Sequence, residues 1–233
     1  MRYVIGVDEV GRGSLAGPVT VCAALVPARA TFRWAGAPSL LRDSKQLSPR
    51  KREAWIRYFR ARLDSAQRKH RTVAWAVASE SARTVDRIGI RDAANRAATR
   101  ALSALGEQVQ NIITHSKIQR RNLCMEGVAL VLDAGLAVPP AMVRKLGVRS
   151  VACFPKADER VPAVAVASII AKVHRDAYMR RLHGRFPAYG FGAHKGYGTK
   201  AHRAAIHRRG PSPMHRLTFC GLGLRRLAGA TKP

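Results

Sequence analysis

The chain has 233 residues, 47% of them hydrophobic and 6% aromatic, a length and composition typical of one globular domain with a sizeable core. Its formal net charge of +28 favours a polyanionic partner such as nucleic acid, because Lys and Arg that neutralise phosphates release condensed counterions. Four isolated cysteines exclude a zinc knuckle and a disulfide framework, and the lack of a signal sequence or a bilayer-spanning apolar run predicts a soluble, cytoplasmic protein with no membrane partner.

The first predicted element is a buried strand over residues 2–8, which brings Asp8 and Glu9 to its end. Glycines follow at 11, 13 and 17, where the missing Cβ atoms let a nucleic-acid backbone approach closely. Paired acids hold a divalent cation and exposed backbone amides hold a phosphate, so this segment is a candidate metal and phosphate site. Because successive strand residues point to opposite faces, Asp8 and Glu9 share one pocket only if the strand ends or bends near Gly11.

The next predicted elements are a second strand over 19–26 and, after a Pro/Gly-rich stretch, a helix over 49–63. The helix begins with a serine N-cap followed by a proline, which is typical of a first helical residue. A third strand is predicted over 72–79. The alanine-rich segment 86–105 has apolar positions at helical spacing and predicts a long packed helix.

A second acid-bearing strand is predicted over 129–133, an apolar run that ends in Asp133. The basic segment 114–122 before it is predicted to be an exposed loop. Two strands that deliver acids at their ends supply what a shared metal site needs. A further helix is predicted over 163–182, and the Gly/His/Lys/Arg-rich tail is predicted to contain short helices.

Five ordered motifs lie between residues 4 and 219. They are D-E-V-G-R-G-S-L-A-G-P-V at 8–19, D-S-K-Q-L-S at 43–48, K-A-D at 156–158 followed by A-S-I-I-A-K-V-H-R-D at 167–176, Y-G-F-G-A-H-K-G-Y-G-T at 189–199, and H-R-L-T-F at 215–219. This set resembles type 2 ribonuclease H, the bacterial ribonuclease HII group. Ser14 stands where that family usually has proline, and Asp133-Ala134-Gly135 stands where it has Asp-Gly.

The resemblance implies an α/β, RNase H-like fold: a mixed sheet with antiparallel early strands, flanking helices and a helical C-terminal extension. It implies a catalytic domain over 1–180 and an extension over 181–233 that completes the substrate groove within one structural unit. It also implies four catalytic, metal-binding acids, which are Asp8, Glu9, Asp133 and Asp158. Asp176 is a competing fourth acid, although Lys172 one turn earlier favours a paired residue outside the site.

Substrate recognition needs a device that detects the 2′-hydroxyl, which distinguishes a ribonucleotide from its DNA neighbours. The backbone of Gly11, Arg12 and Gly13 is expected to approach it closely. By the resemblance, Tyr197 stacks on the adjacent deoxyribose and forms a hydrogen bond at the junction. Four further residues are expected to line the phosphate track: Ser44, Lys45, His194 and Lys195.

The implied reaction is metal-dependent hydrolysis of RNA in RNA–DNA hybrids and of ribonucleotide-containing DNA, cut on the 5′ side of the ribonucleotide to leave a 3′-hydroxyl and a 5′-phosphate. The implied cofactor is Mg²⁺ or Mn²⁺, as two ions with substrate bound. A monomer is expected. The alternative is a non-catalytic basic nucleic-acid-binding protein, whose affinity for duplexes would not depend on Mg²⁺.

Overall fold

The computed structural model describes residues 3–28, 41, 44, 46–64, 73–115 and 127–221. Within them, five strands form one sheet. They are β1 (Tyr3–Val10), β2 (Val19–Pro27), β3 (Ala74–Glu80), β4 (Ala129–Asp133) and β5 (Ser150–Phe154). Their order across the sheet is β3-β2-β1-β4-β5, which makes β1 the central strand.

The pairing directions explain why the two acid-bearing strands end together. β1 runs antiparallel to β2, and β2 antiparallel to β3, whereas β1, β4 and β5 run parallel to one another. Val7 is in register with Leu132. The next residues, Asp8 and Asp133, therefore lie side by side near the carboxyl ends of neighbouring parallel strands.

Helices cover both faces of this sheet. In the described part of the chain they are α1 (Pro49–Asp64), α2 (Ala82–Ile88), α3 (Ile90–His115), α4 (Pro140–Leu146), α5 (Ala157–Arg160), α6 (Pro162–Arg185), α7 (Phe191–His194) and α8 (Lys200–Arg209). On one face, Ala98 of α3 belongs to the same buried cluster as Ile5 of β1. On the other, Trp55 of α1 and Ile169 of α6 share a cluster with Ala24 of β2.

The predicted α/β class and mixed sheet are confirmed. The four predicted strands, and the predicted helices that became α1 and α6, agree with the structure to within about three residues at each end. The antiparallel pairing of β1 with β2 and of β2 with β3 also confirms the expectation of antiparallel early strands. No helix in the described residues is long and apolar enough to cross a membrane.

The single helix predicted over 86–105 is wrong, because two helices occupy this region. Gly89 separates them with φ of 81°, and its N–H donates to the carbonyl of Val85, which ends α2. α3 then continues to His115, so the loop predicted to begin at 114 is still helical for two residues. The rest of that basic segment, 116–122, lies outside the described residues.

Candidate active site

Three carboxylates meet at the ends of β1 and β4. Asp8, Glu9 and Asp133 each offer an oxygen, and these oxygens lie within 4.8 Å of one another. Asp8 is buried, while Glu9 and Asp133 are partly buried. The glycine-rich segment begins two residues after Glu9, and the prediction that these three acids come together at the strand ends is confirmed.

The end of β1 allows neighbouring acids to share the pocket. The Glu9 N–H donates to Asp8 Oδ1 at 2.8 Å, and the strand ends one residue later, at Val10. Gly11 then turns the chain with φ of 86°, where a Cβ would lie 2.1 Å from Arg175 Nε. A side chain at this position is excluded both by the backbone conformation and by the buried guanidinium.

Electrostatics in the cluster favour a cation. Burial raises the pKa of Asp8 well above its ordinary value; a hydrogen bond from Ser168 opposes this shift, while the neighbouring carboxylates of Glu9 and Asp133 add to it. Burial also raises the pKa of Glu9, against the charge of Arg12. Glu9 Oε2 is buried with no hydrogen-bond partner among the described residues. A buried acceptor of this kind, within a repelling carboxylate cluster, is suited to a hard divalent cation.

The turn after β4 keeps Asp133 in the cluster despite its Asp-Ala-Gly sequence. Asp133 Oδ1 accepts a hydrogen bond from the Ala157 N–H at 3.0 Å. Arg12 links this turn to the first strand, because Nη1 donates to Glu9 Oε1 at 2.9 Å and Nη2 donates to the Gly135 carbonyl at 2.9 Å. Arg12 thus orients one acid of the cluster and also fixes the turn that follows another.

The two candidates for a fourth acid have different environments. Asp158 is buried in the first turn of α5, immediately after the Ala157 amide that binds Asp133, but it is outside the three-acid cluster found among the described residues. Asp176 is buried too, and it forms ion pairs with Lys172 at 2.8 Å and Arg52 at 3.7 Å. The pairing of Asp176 agrees with its expected role outside the metal site, and Asp158 remains a prediction.

Ser44 lies behind Asp8 in a chain of hydroxyl groups. Its Oγ is 2.8 Å from Ser168 Oγ, and Ser168 bonds the Asp8 carboxylate. Arg52 Nη1 donates to the Ser44 carbonyl at 2.7 Å and holds this segment in place. The neighbouring predicted residue, Lys45, lies outside the described residues.

Three other predicted substrate residues lie at the end of α7: His194 is its last residue, and Lys195 and Tyr197 are on the loop that follows, residues 195–199, called here the Tyr197 loop. Tyr197 is 36% exposed, and its ring centroid is 5.4 Å from Arg175 Cζ and 5.9 Å from Lys172 Nζ. Lys195 has φ of 53°, and burial lowers its pKa. His194 Nε2 lies 2.7 Å from the Tyr189 carbonyl and Nδ1 accepts from the Gly196 N–H, so its ring supports the loop from inside.

Sequence reasoning gave no role to two buried arginines that contact this site. Arg175 donates to the backbone of the loops that carry Ala16 and Lys195, and Arg216 donates to the carbonyls of Gly11 and Arg12. Both lie inside quoted motifs, A-S-I-I-A-K-V-H-R-D and H-R-L-T-F, which was the only sequence signal available for them.

A buried histidine supports the Tyr197 loop and predicts a pH-dependent stability. His215 Nε2 is 3.0 Å from His202 Nε2, whose ring binds the Tyr197 carbonyl through Nδ1. Burial, with the neighbouring His202 adding to its effect, lowers the pKa of His215 to about 4. The unfolded state therefore takes up a proton before the folded state does as pH falls.

This linkage predicts that the contribution of His215 to stability is complete above about pH 6.5 and is lost as pH falls toward about 4, with a total loss on the order of 3 kcal/mol. His215→Gln should flatten the fall in unfolding free energy between pH 7 and pH 5, measured by urea denaturation. The exposed His207→Gln is the control and should keep the wild-type slope. Identical slopes in all three proteins would contradict the prediction.

Comparison with known proteins gives consistent matches along almost the whole chain. A family model described as Ribonuclease HII matches residues 5–222. The Ribonuclease HII of Hyphomonas neptunium is 37% identical over 219 residues, which cover 93% of this chain and 92% of that protein. The ribonuclease H2 structure from Pyrococcus horikoshii OT3 has a TM-score of 0.62 at 23% identity, covering 97% of this chain and 99% of that one, and shows the same fold. Bst-RNase HIII, solved in complex with Mn²⁺, has a TM-score of 0.60 at 27% identity, covering 99% of this chain and 71% of that one.

Proposed function

This chain belongs to the ribonuclease HII family and is a type 2 ribonuclease H, and we propose that it hydrolyses the RNA strand of RNA–DNA hybrids and cuts DNA on the 5′ side of embedded ribonucleotides. The proposed products carry a 3′-hydroxyl and a 5′-phosphate, which suits removal of misincorporated ribonucleotides and primer remnants. The observation that supports this most is the cluster of Asp8, Glu9 and Asp133 beside the glycine-rich turn.

Asp8, Glu9 and Asp133 are the proposed holders of Mg²⁺ or Mn²⁺, with Asp158 as the fourth acid and two ions when substrate is bound. The unpartnered Glu9 Oε2 and the mutual repulsion of the carboxylates support this assignment. Mn²⁺ is also the ion named with Bst-RNase HIII. Bound ions of this kind activate a water and stabilise the leaving oxygen in phosphodiester hydrolysis.

The chain's own residues hold the cluster in a fixed geometry. The Ala157 amide orients Asp133, Arg12 orients Glu9, and Ser168 orients Asp8. Each of these bonds uses one carboxylate oxygen or lone pair and leaves others free to bind an ion. The preorganised arrangement avoids rearrangement of the acids at the moment of reaction.

Recognition of the ribonucleotide is assigned to Gly11, Arg12 and Gly13. A Cβ on Gly13 would meet no atom of the described residues within 4 Å, so a sugar edge has room to approach the backbone there. Tyr197 is placed on the deoxyribose side of the junction. Ser44, Lys45 and Lys195 are assigned to the phosphate track, with His194 acting through the loop that it supports.

The C-terminal extension proposed over 181–233 continues directly from the catalytic domain proposed over 1–180. α6 runs through the boundary to Arg185, and an isolated bridge joins Ala16 to His215. These connections support one structural unit in which the extension completes the groove. The net charge of +28 supports binding of a polyanionic duplex along it.

The proposed function is tested with a labelled RNA–DNA hybrid incubated with the protein and Mg²⁺, Mn²⁺ or EDTA. We expect cleavage of the RNA strand only with a divalent ion, and product ends that carry a 3′-hydroxyl. The alternative, a non-catalytic nucleic-acid-binding protein, predicts equal hybrid affinity with and without metal and no cleavage in any sample.

Substitution of Tyr197 separates stacking from hydrogen bonding at the junction. Tyr197→Ala should lower kcat/KM on a duplex with one ribonucleotide by about tenfold or more, because it removes both the ring and the hydroxyl. Tyr197→Phe keeps the ring and should lose less. Both variants should lose more on this substrate, which offers a single boundary between ribose and deoxyribose, than on a long hybrid. Equal losses on the two substrates would make Tyr197 a general binding or structural residue.

A further inference from the structure

Two fully buried arginines lie under the glycine-rich loop, defined here as residues 11–18. Arg175 and Arg216 are each 0% exposed. Neither forms an ion pair with a carboxylate of the described residues, although burial is costly for an unpaired guanidinium. Burial, with the positive charge of Arg175 adding to its effect, lowers the pKa of Arg216 to about 10. Because burying these guanidinium groups costs free energy, we expect their hydrogen bonds to have a function.

Arg216 binds three carbonyls of the glycine-rich loop. Nη2 donates to Gly11 O at 2.7 Å, Nη1 to Arg12 O at 2.8 Å, and Nε to Gly17 O at 3.1 Å. All three donor nitrogens of one rigid, planar group are therefore used on one loop. A lysine ammonium in this place cannot reproduce that fork.

These bonds also fix the direction of two backbone amides. In a trans peptide the carbonyl of one residue and the N–H of the next point in opposite directions. Because the Gly11 and Arg12 carbonyls face Arg216, the N–H groups of Arg12 and Gly13 face away from it. Neither amide donates to another described residue, and the space at Gly13 is open. Within the described residues, the loop thus has two amide donors without a protein partner, and both point away from Arg216.

Arg175 holds the second half of the loop and joins it to the Tyr197 loop. Nε donates to Pro18 O at 3.0 Å, Nη2 to Ser14 Oγ at 2.8 Å, and Nη1 to Lys195 O at 2.9 Å. Ser14, which replaces the family's usual proline, supplies the only side-chain acceptor for Arg175 among the described residues.

Hydrogen bonds to the glycine-rich loop and to α2 hold the backbone of residues 216–218. The Arg216 N–H donates to Leu15 O at 2.7 Å. Asp86 of α2 accepts from the Leu217 N–H at 2.8 Å and from the Thr218 hydroxyl at 2.6 Å. These hydrogen bonds fix the backbone that carries the Arg216 guanidinium, as a residue that positions a loop requires.

We propose that Arg216, supported by Arg175, is a positioning residue that aims the amides of Arg12 and Gly13 at the 2′-hydroxyl of a ribonucleotide. The inference rests on the proposed substrate class and adds the residues that create its selectivity. A purely structural role would change stability or binding of every duplex alike. A positioning role changes the preference for the ribonucleotide.

The test measures the affinity of wild type and Arg216→Lys, in EDTA, for two duplexes of one sequence, all-DNA or carrying one ribonucleotide. We expect wild type to prefer the ribonucleotide and Arg216→Lys to lose about tenfold of that preference, with unchanged affinity for all-DNA. Arg100→Lys is the control, because this guanidinium bonds the Ser79 carbonyl and Glu80 and forms no described hydrogen bond to residues 11–18. It should keep the wild-type preference.

A wild type without preference, or a folded Arg216→Lys with full preference, would overturn the inference. If Arg216→Lys does not fold, Ser14→Ala is tested in its place. This change removes the hydroxyl that accepts a hydrogen bond from Arg175 and should reduce the preference for the ribonucleotide by about threefold. An unchanged preference in Ser14→Ala would overturn the inference. The proposed function is judged separately on wild-type cleavage. Cleavage with an intact preference in the variant would refute the positioning role alone, whereas absence of cleavage refutes the function.

Discussion

Asp8→Asn should lower the rate of hybrid cleavage by on the order of a thousandfold or more, while hybrid affinity in EDTA stays close to that of wild type. The carboxylate lies within 4.8 Å of the oxygens of Glu9 and Asp133, so the change removes a proposed metal ligand and its charge. It also removes a buried, repelled charge, because the pKa of Asp8 is raised by burial and by its neighbours. The variant should therefore be at least as stable as wild type without metal at pH 7.

Thermal unfolding with and without Mg²⁺ distinguishes a variant that has lost metal binding from one that has lost its folded structure. Mg²⁺ should raise the Tm of wild type and raise that of Asp8→Asn much less, because an ion that binds the folded state stabilises it. Asp133→Asn should behave in the same way, and the exposed Asp92→Asn is the control that should retain activity. Unchanged turnover in Asp8→Asn or Asp133→Asn would remove that residue from the site.

The cleavage rates of two variants, Asp158→Asn and Asp176→Asn, identify the fourth acid of the site. Asp158→Asn should be more impaired in cleavage than Asp176→Asn, since Asp176 is already paired with Lys172 and Arg52. The rates should be compared after both variants are shown to be folded, because breaking a buried ion pair is itself destabilising. The reverse order would assign the fourth position to Asp176.

Gly6→Ala is expected to have the largest effect on stability, lowering the unfolding free energy by about 3 kcal/mol or more. A Cβ on Gly6 would lie 2.2 Å from the Ala163 carbonyl carbon and 2.3 Å from the Val164 nitrogen. Backbone cannot move aside as a flexible side chain does, so β1 and α6 must separate. Because α6 carries Ser168, which bonds Asp8, cleavage should fall as well.

Gly184→Ala is the matched control for this substitution. Gly184 lies in α6, and a Cβ there would meet nothing within 4 Å in the part of the chain that the structure describes. Alanine should raise the unfolding free energy by about 0.5–1 kcal/mol, because glycine costs more conformational entropy within a helix. Urea denaturation measures both variants. A Gly6→Ala protein as stable as wild type would contradict the close packing of β1 on α6.

Periodicity along the chain was sufficient to predict the strands that build the site. An apolar run ending in Asp8 and another ending in Asp133 indicated two strands with acids at their ends, and the parallel register of β1 and β4 brings those ends together. The short helix α4 and the exposed edge strand β5 gave no comparable pattern. In α4 only Leu146 is buried, and β5 buries none of its five residues fully.

Periodicity along the chain could not predict contacts between residues that are far apart in the sequence. Arg216 lies 205 positions after Gly11, and no local pattern shows that its guanidinium reaches the carbonyl there. The break at Gly89 was missed for a different reason: a single glycine is tolerated within a helix, and only its φ of 81° shows that it ends one. The closeness of Gly6 to α6 likewise depends on how two elements pack.

The most direct test of the account is to map the products from a DNA duplex that carries one ribonucleotide, incubated with wild type or Asp8→Asn in Mg²⁺ or EDTA. We expect one cut, on the 5′ side of the ribonucleotide, made only by wild type with Mg²⁺ and leaving a 3′-hydroxyl and a 5′-phosphate. An intact duplex in every sample, bound equally well with and without Mg²⁺, would contradict it.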